Sequence, residues 1–267
     1  MDKAVAVLKL MVEGMSIRSI ERIAGVHRDT ILRLLVFAGE RCLKLMDARL
    51  RNLNTRYLEV DEIWTFVQKK HRWVRKGDSP EIGDQFVFVA IDAETKLIPS
   101  FFIGKRTHQE TAEFLFDLYR RLAGRTQLTT DGLDHYRRGV PECFGLDVDF
   151  AQLIKLFGDY GQRDAQARYS PGPIMEVISK VRAGDPDPDH ISTSFVERQN
   201  LTMRMAMRRF TRLTNAFSKK LANLKAACAL HFAWYNFCRV HASLRVTPAM
   251  EAKLADHVWQ IEELLAG

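Results

Sequence analysis

The chain has 267 residues, 46% of them hydrophobic, which is enough for one or two domains with a real core and excludes a wholly disordered protein. Lys and Arg number 40 against 33 Asp and Glu, a net charge of +7 that suits a polyanion, nucleic acid ahead of a membrane surface. The four cysteines form no CxxC pair and no Cys/His zinc spacing, no apolar run is long enough for a membrane span, and the amino terminus lacks a signal-peptide pattern, so a cytoplasmic protein with reduced thiols is expected.

Ala4 to Glu13 reads as a helix stopped by Gly14. Ser16 is placed to cap a short second helix ending at Ala24, and Gly25-Val26 makes a tight turn. A third helix starts near Asp29 and runs through Leu35, with Met46 as its far limit. Helix, short turn with glycine, helix is the helix-turn-helix pattern. Its small core is Ile17, Ile20, Ile23, Val26, Ile31, Leu34 and Leu35, and His27, Arg28, Asp29, Thr30 and Arg33 sit where such motifs meet base edges. The same pattern also fits a helical hairpin that only caps the next domain. Residues 1–52 form this region, and Arg49 to Arg56 reads as a linker.

Tyr57 to Val67 is a strand by propensity, with Asp61 and Glu62 in its middle. An acid there is costly to bury unless it is paired or holds a cation. Lys69 to Gly83 is a charged loop, and Phe86 to Ile91 is apolar enough for a central strand covered on both faces. Asp92 to Thr95 reads as a hairpin turn and Leu97 to Ile103 as the returning strand. Thr107 to Ala123 is predicted helical, and Thr126 to Thr130 is a short strand ending at Asp131-Gly132, a common place for a catalytic group. Val148 to Leu156 reads as the last core strand, and Gly161 to Asp189, rich in Gly, Pro and charge, as a largely irregular insertion spanning about 158–190.

Ser192 to Arg212 contains neither Pro nor Gly and is predicted to be one helix. Val196, Met203, Met207 and Phe210 fall in its apolar stripe, and Glu197, Arg204, Arg208 and Thr211 form a second stripe about 100° away. Glu197 is the only acid between Ile191 and Arg245, against ten bases, so this span carries +9 and the rest of the chain −2. A solvated basic helix face would account for that, and so would a metal-binding carboxylate beside a polyphosphate track. Asn215 to Phe237 is a long helix with a core-packing stripe, Arg239 and His241 follow it, and Leu254 to Leu265 is a terminal helix.

Three antiparallel strands followed by strand–helix units make a mixed sheet flanked by helices. In that arrangement Asp61 and Asp131 converge, and a helix packed at the sheet could add Glu197. Three carboxylates around one space need cations, and hard oxygen ligands select Mg²⁺ or Mn²⁺. Two such ions about 3.5–4 Å apart activate a water or 3′-hydroxyl against a phosphodiester.

The stretches VDEIW (60–64), TTDG (129–132), ISTSFVERQNLTMRMAMRRFTRLTNAFSKK (191–220) and WYNFCRVHASLRVTPAMEA (234–252) together resemble a DDE-type transposase of the insertion-sequence-1 group. The resemblance implies an α/β fold: a ribonuclease H-like, integrase-like mixed sheet flanked by helices over 56–212, a small amino-terminal helix-turn-helix domain, and a helical extension over 213–267. It implies Asp61, Asp131 and Glu197 as the catalytic and metal-binding triad, with Mg²⁺ or Mn²⁺ as two ions. Arg204 would hold transposon-end phosphates. Arg198, Arg208, Arg209, Arg212, Lys219 and Lys220 would track the DNA backbone, and Arg28, Thr30 and Arg33 would read the terminal inverted repeats. The activity implied is 3′-end cleavage and strand transfer by a homo-oligomer on paired ends and target DNA, nucleoid-associated and without a membrane. The zinc-finger cysteines of some members are absent, and Leu133-Asp134 replaces an aromatic residue common after Asp-Gly. Asp134 is therefore a competing second ligand and Glu62 a competing first, whereas His108 and His190 are read as non-ligands. A ribonuclease H-like nuclease that cuts without joining, or an inactive helix-turn-helix DNA-binding protein, would share many of these features.

Overall fold

The computed structural model describes residues 2–158, 172–211 and 214–266. Three helices come first, α1 (Asp2–Val12), α2 (Ile17–Ala24) and α3 (Arg28–Arg49). Ser16 caps α2 by accepting the Ser19 N–H on its Oγ at 3.1 Å, and Gly25 ends it at φ 58°, a left-handed turn that costs glycine nothing. α3 continues well past Leu35 because its second half is buried. Leu35, Ala38, Cys42, Leu45 and Met46 share a core with α7 (Leu221–Phe237). The two helices cross at Gly39, where a Cβ would stand 2.4 Å from Ala226 Cα. Only glycine permits that approach.

Six strands form one mixed sheet in the order β3-β2-β1-β4-β5-β6. They are β1 (Tyr57–Val67), β2 (Gly83–Asp92), β3 (Phe101–Gly104), β4 (Thr126–Thr130), β5 (Val148–Phe157) and β6 (Ile174–Ala183). β1 runs antiparallel to β2, with Asp61 opposite Val89, and parallel to β4. β4 and β5 are parallel, and β5 and β6 antiparallel. On one face Leu58, Val60, Phe88, Ala90, Leu128 and Phe150 pack under α4 (His108–Tyr119) and α5 (Asp134–Phe144). On the other, Ile63, Val87, Val89 and Ile91 join α3, α6 (Ser194–Ala206) and α7 in the larger core, which also takes in α1, the short α8 (Pro248–Glu251) and α9 (Ile261–Ala266). Coverage on both faces explains the apolar run of β2.

Four expectations are corrected. The returning strand is only Phe101–Gly104, because Asn236 takes the backbone of Ile98 instead: its Oδ1 accepts the Ile98 N–H and its Nδ2 donates to the Ile98 carbonyl, both at 2.9 Å. The region expected to be irregular contains β6, whose β-branched Val177, Ile178 and Val181 pair with the free edge of β5; residues 159–171 lie outside those described. The helix carrying Glu197 stops at Ala206. Met207 is extended at φ −120°, ψ 106°, and a 3-10 turn over Arg208–Phe210 follows, so Met207 and Phe210 reach the core by a bend rather than along a helical stripe. Arg208 therefore does not share a helical face with Glu197 and Arg204. Lastly, α7 begins at Leu221 and α9 at Ile261, later than their apolar patterns suggest.

Candidate active site

The sheet register brings the acids together. The β1–β4 ladder ends with Val60 opposite Thr130, so β1 continues past the end of β4 and Asp131 follows directly from it. Asp61 leaves β1 toward α6 and Glu62 toward α5, yet both reach the gap at the end of β4. Asp61, Glu62 and Asp131 each offer a carboxylate oxygen within 4.8 Å of the others. Asp131 is held by its surroundings: Oδ1 accepts the Leu133 N–H at 3.0 Å, and its carbonyl accepts Gln152 Nε2 at 2.8 Å. Arg106 bridges the cluster from outside, with Nη2 3.0 Å from Glu62 Oε2 and 3.6 Å from Asp131 Oδ2.

The electrostatics follow from this crowding. Burial, then the neighbouring charges of Asp131 and Glu197, push the Asp61 carboxyl up to about 7. Burial and Asp131 also push Glu62 to about 7, although Arg106 opposes the rise. The buried Tyr136 hydroxyl stands beside Glu62, outside hydrogen-bond geometry, and burial raises its pKa well above the usual phenol value. A cluster of hard oxygens that resists ionisation is suited to a divalent cation, which would supply the missing positive charge.

Glu59, two residues before Asp61 on the same face of β1, positions α6. It is 2% exposed, and its Oε2 accepts the N–H groups of Phe195 at 2.7 Å and Val196 at 2.9 Å. A carboxylate is stable at this helix start because the first-turn N–H groups lack helical partners and the helix dipole is positive there. Burial nonetheless raises the Glu59 pKa. α6 thereby presents Glu197 in its first turn and Asn200 one turn later. Asn200 Nδ2 donates to Asp61 Oδ2 at 2.8 Å. Glu197 accepts the Thr193 hydroxyl at 2.7 Å and is paired with Lys155 of β5. Glu197 thus lies near enough to raise the Asp61 pKa but outside the three-carboxylate group, whose nearer member is Glu62.

Asp134 points elsewhere, paired with Arg137 at 2.6 Å and Arg138 at 3.3 Å. His108 pairs with Glu142, and His190 with Asp187 while stacking on Tyr57; neither belongs to the carboxylate group. Arg28, Thr30 and Arg33 are exposed on the first turns of α3. Arg198, Arg208, Lys219 and Lys220 are exposed, and Arg204 is partly buried in the last turn of α6. Arg209 turns inward, with Nη1 donating to Ser218 Oγ at 2.8 Å and the Asn223 carbonyl at 2.9 Å, which makes it a structural cation. Arg212 lies outside the described residues. Arg28, Arg208 and Lys219 line one cleft of about 860 Å³ between the amino-terminal helices and the segment that follows α6. Among the described residues no helix is long and apolar enough to cross a membrane.

No protein-family model and no curated protein matches the sequence. Among solved structures the chain is similar to the Mos1 transposase paired-end complex with left transposon end, at 13% identity and a TM-score of 0.26, over 55% of this chain and 57% of that one. It is also similar to the piggyBac transposase synaptic complex with hairpin DNA, at 12% identity and a TM-score of 0.41, over 98% of this chain and 68% of that one. The Mos1 strand transfer complex gives 14% identity and a TM-score of 0.26, over 87% of this chain and 76% of that one. The chain spans little more than half of the first of these, 57% of its length. All three scores are low, and the functional reading below rests on the side chains of the site.

Sequence patterns singled out Asp61, Asp131 and Glu197 but missed the residues that arrange them. Glu59 carried a visible signal, since it shares a face with Asp61 in a strand whose other positions there, Tyr57, Ile63, Thr65 and Val67, are uncharged. Asn200 also carried one, lying one turn after Glu197. Nothing in the sequence links Arg106, Lys155 or Gln152 to the site, because they arrive from the β3–α4 connection and from β5.

Proposed function

We propose that this chain is a DDE-type DNA transposase of the insertion-sequence-1 group, built on a ribonuclease H-like core. The observation that carries the reading is the meeting of Asp61, in the middle of β1, with Asp131, at the end of the adjacent parallel β4, under a helix whose first turn holds Glu197. The strand order and the antiparallel β2 support the same core.

In this reading Asp61, Asp131 and Glu197 hold Mg²⁺ or Mn²⁺ as two ions. Ions held there supply a lowered pKa for the attacking water or 3′-hydroxyl and charge stabilisation for the leaving oxygen. The protein's own work is positioning. Glu59 locks α6 onto β1, Asn200 orients Asp61, and Gln152 fixes the turn that carries Asp131. Lys155, the present partner of Glu197, would be freed for the phosphodiester if Glu197 held a cation. Hydrolysis of the phosphodiester at the element's end frees a 3′-hydroxyl. That hydroxyl attacks a target phosphodiester, forming one P–O bond and expelling the target's own 3′-oxygen. No covalent protein–DNA intermediate is needed. Arg28, Thr30 and Arg33 read the terminal inverted repeats, and the cleft that Arg28 shares with Arg208 and Lys219 continues the phosphate track past Arg198, Arg204 and Lys220, making binding strongly salt-dependent. The protein acts as a homo-oligomer on paired ends, in the cytoplasm and at the nucleoid.

The test is a strand-transfer assay with labelled inverted-repeat DNA, a plasmid target and Mg²⁺. The wild type is expected to give labelled joint products, and Glu197→Gln none, with end binding unchanged. Cleavage without joining would favour a nuclease, and binding with neither reaction, in Mg²⁺ and in Mn²⁺, would favour an inactive DNA-binding protein.

A further inference from the structure

The three-carboxylate group contains Glu62 and not Glu197, and this contradicts a simple rule. Adjacent residues on a strand point to opposite faces, so Asp61 and Glu62 should be separated by the sheet. They are not, because β4 stops at Thr130, opposite Val60. Among the described residues no strand lies beside β1 on that side at the level of Asp61 and Glu62. The two side chains pass the edge of β1 from either face and meet Asp131 in the space that a longer β4 would fill.

Glu62 is also poorly served as a merely structural acid. Its side chain is 2% exposed, and among the described residues Oε1 is buried without a hydrogen bond of good geometry, its one polar neighbour, the Tyr136 hydroxyl, being misaligned. Leaving such an oxygen unpaired is costly. The other oxygen meets Arg106, whose guanidinium is shared with Asp131 and is 38% exposed. A half-exposed arginine on a loop can leave without disturbing the core. Among the described residues it is the only cation paired with these two carboxylates.

We propose that Glu62 is a metal ligand, holding one divalent cation together with Asp61 and Asp131, and that Arg106 is the side chain this cation displaces. Asp61 is then shared: one cation lies on its Glu62 side, and the second, held with Glu197, on its α6 side. The inference rests on the metal-dependent reading of the site given above but adds a ligand to it, and it assigns the two metals different neighbours. Once displaced, Arg106 is free to meet the phosphate being cut.

The experiment is Mn²⁺ binding to the full chain without DNA, after EDTA treatment and dialysis, followed by the electron paramagnetic resonance signal of free Mn²⁺. Wild type, Asp61→Asn, Glu62→Gln, Glu197→Gln and Arg106→Met are compared, with circular dichroism as the folding control. Asp61→Asn should abolish the tighter site, and Glu62→Gln should weaken it more than about tenfold. Glu197→Gln should leave it within about twofold of wild type, and Arg106→Met, which keeps all the carboxylates and removes the competing cation, should tighten it severalfold. Arg106→Met keeps the test valid if Glu62→Gln misfolds: unchanged or weaker binding in this variant would overturn the proposal. Wild-type affinity in a folded Glu62→Gln would overturn it too, while leaving the transposase reading in place. No Mn²⁺ binding by the wild type at millimolar ion would also overturn it, since the three carboxylates are assembled without DNA; the strand-transfer assay would then judge the wider reading separately.

Discussion

Glu59 and Asp61 leave β1 on the same face, two residues apart, and do different work. Asp61 belongs to the carboxylate group proposed to hold a cation. Glu59 is already satisfied by two backbone N–H groups at the start of α6. Hydrogen bonds to a charged group contribute about 1.5–3 kcal/mol each, so this carboxylate sets the height of α6 over the sheet and thereby the reach of Glu197. Glu59→Gln keeps the size and loses the charge. Its urea midpoint should correspond to a loss of about 1–3 kcal/mol, and 3′-end cleavage should fall although Glu197 and both aspartates remain. Unchanged cleavage in a destabilised protein would mean that α6 is held by its apolar face alone. The sequence displayed both acids on one face of a strand. It did not display the helix that Glu59 would cap, because that contact joins residues 136 and 137 positions apart.

Among the elements, short local signals survived folding and long apolar patterns did not. Ser16 and Gly25 bound α2 as their chemistry dictates, and β4 is the five residues expected of it. The helix from Ser192 to Arg212 failed at Met207, where the core is better filled by a bend, and nothing in residue propensity marks that position. The amino-terminal helices were legible as helices but not as part of the main core, since their packing on α7 depends on Gly39, which in sequence is only a weak spot in a helix. Gly39→Val tests that packing. With Ala226 Cα only 2.4 Å from the added Cβ, α3 and α7 must separate, at a cost of about 1–3 kcal/mol or more in chemical denaturation; a neutral result would show that the crossing is loose. The same packing makes removal of residues 1–52 a poor probe of DNA recognition, since it would strip α3 from α7 and bare the core they share. Arg28→Ala with Arg33→Ala is the better probe. The pair should lower discrimination between inverted-repeat and random DNA by about tenfold or more while leaving the fold intact. Equal loss on both DNAs would reduce their role to phosphate contact.

For the whole molecule, the crowded carboxylates set how stability varies with pH. Asp61 and Glu62 titrate near 7 in the folded chain, against ordinary values of 3.8 and 4.5. Between those limits the folded state binds protons that the unfolded state has released, so stability falls as pH rises toward 7 and then levels off. His231 works in the opposite sense. Buried with neither ring nitrogen hydrogen-bonded, it is pushed down to about 3, so the folded state lacks a proton that the unfolded chain takes up below pH 6.5. The two effects overlap, and the wild-type melting curve alone does not separate them. The difference between wild type and Asp61→Asn does, because His231 is common to both. In EDTA, wild type should lose about 2–3 kcal/mol relative to Asp61→Asn between pH 5 and pH 8, at about 1.4 kcal/mol per pH unit. Mg²⁺ at pH 8 should restore most of that loss in wild type and little in Asp61→Asn, because a cation bound only by the folded state stabilises it by mass action. A difference that stays flat with pH in EDTA would mean that the acids ionise freely and that Arg106 and Lys155 already neutralise the cluster. Rescue of both proteins by Mg²⁺ would place the ion elsewhere on the chain.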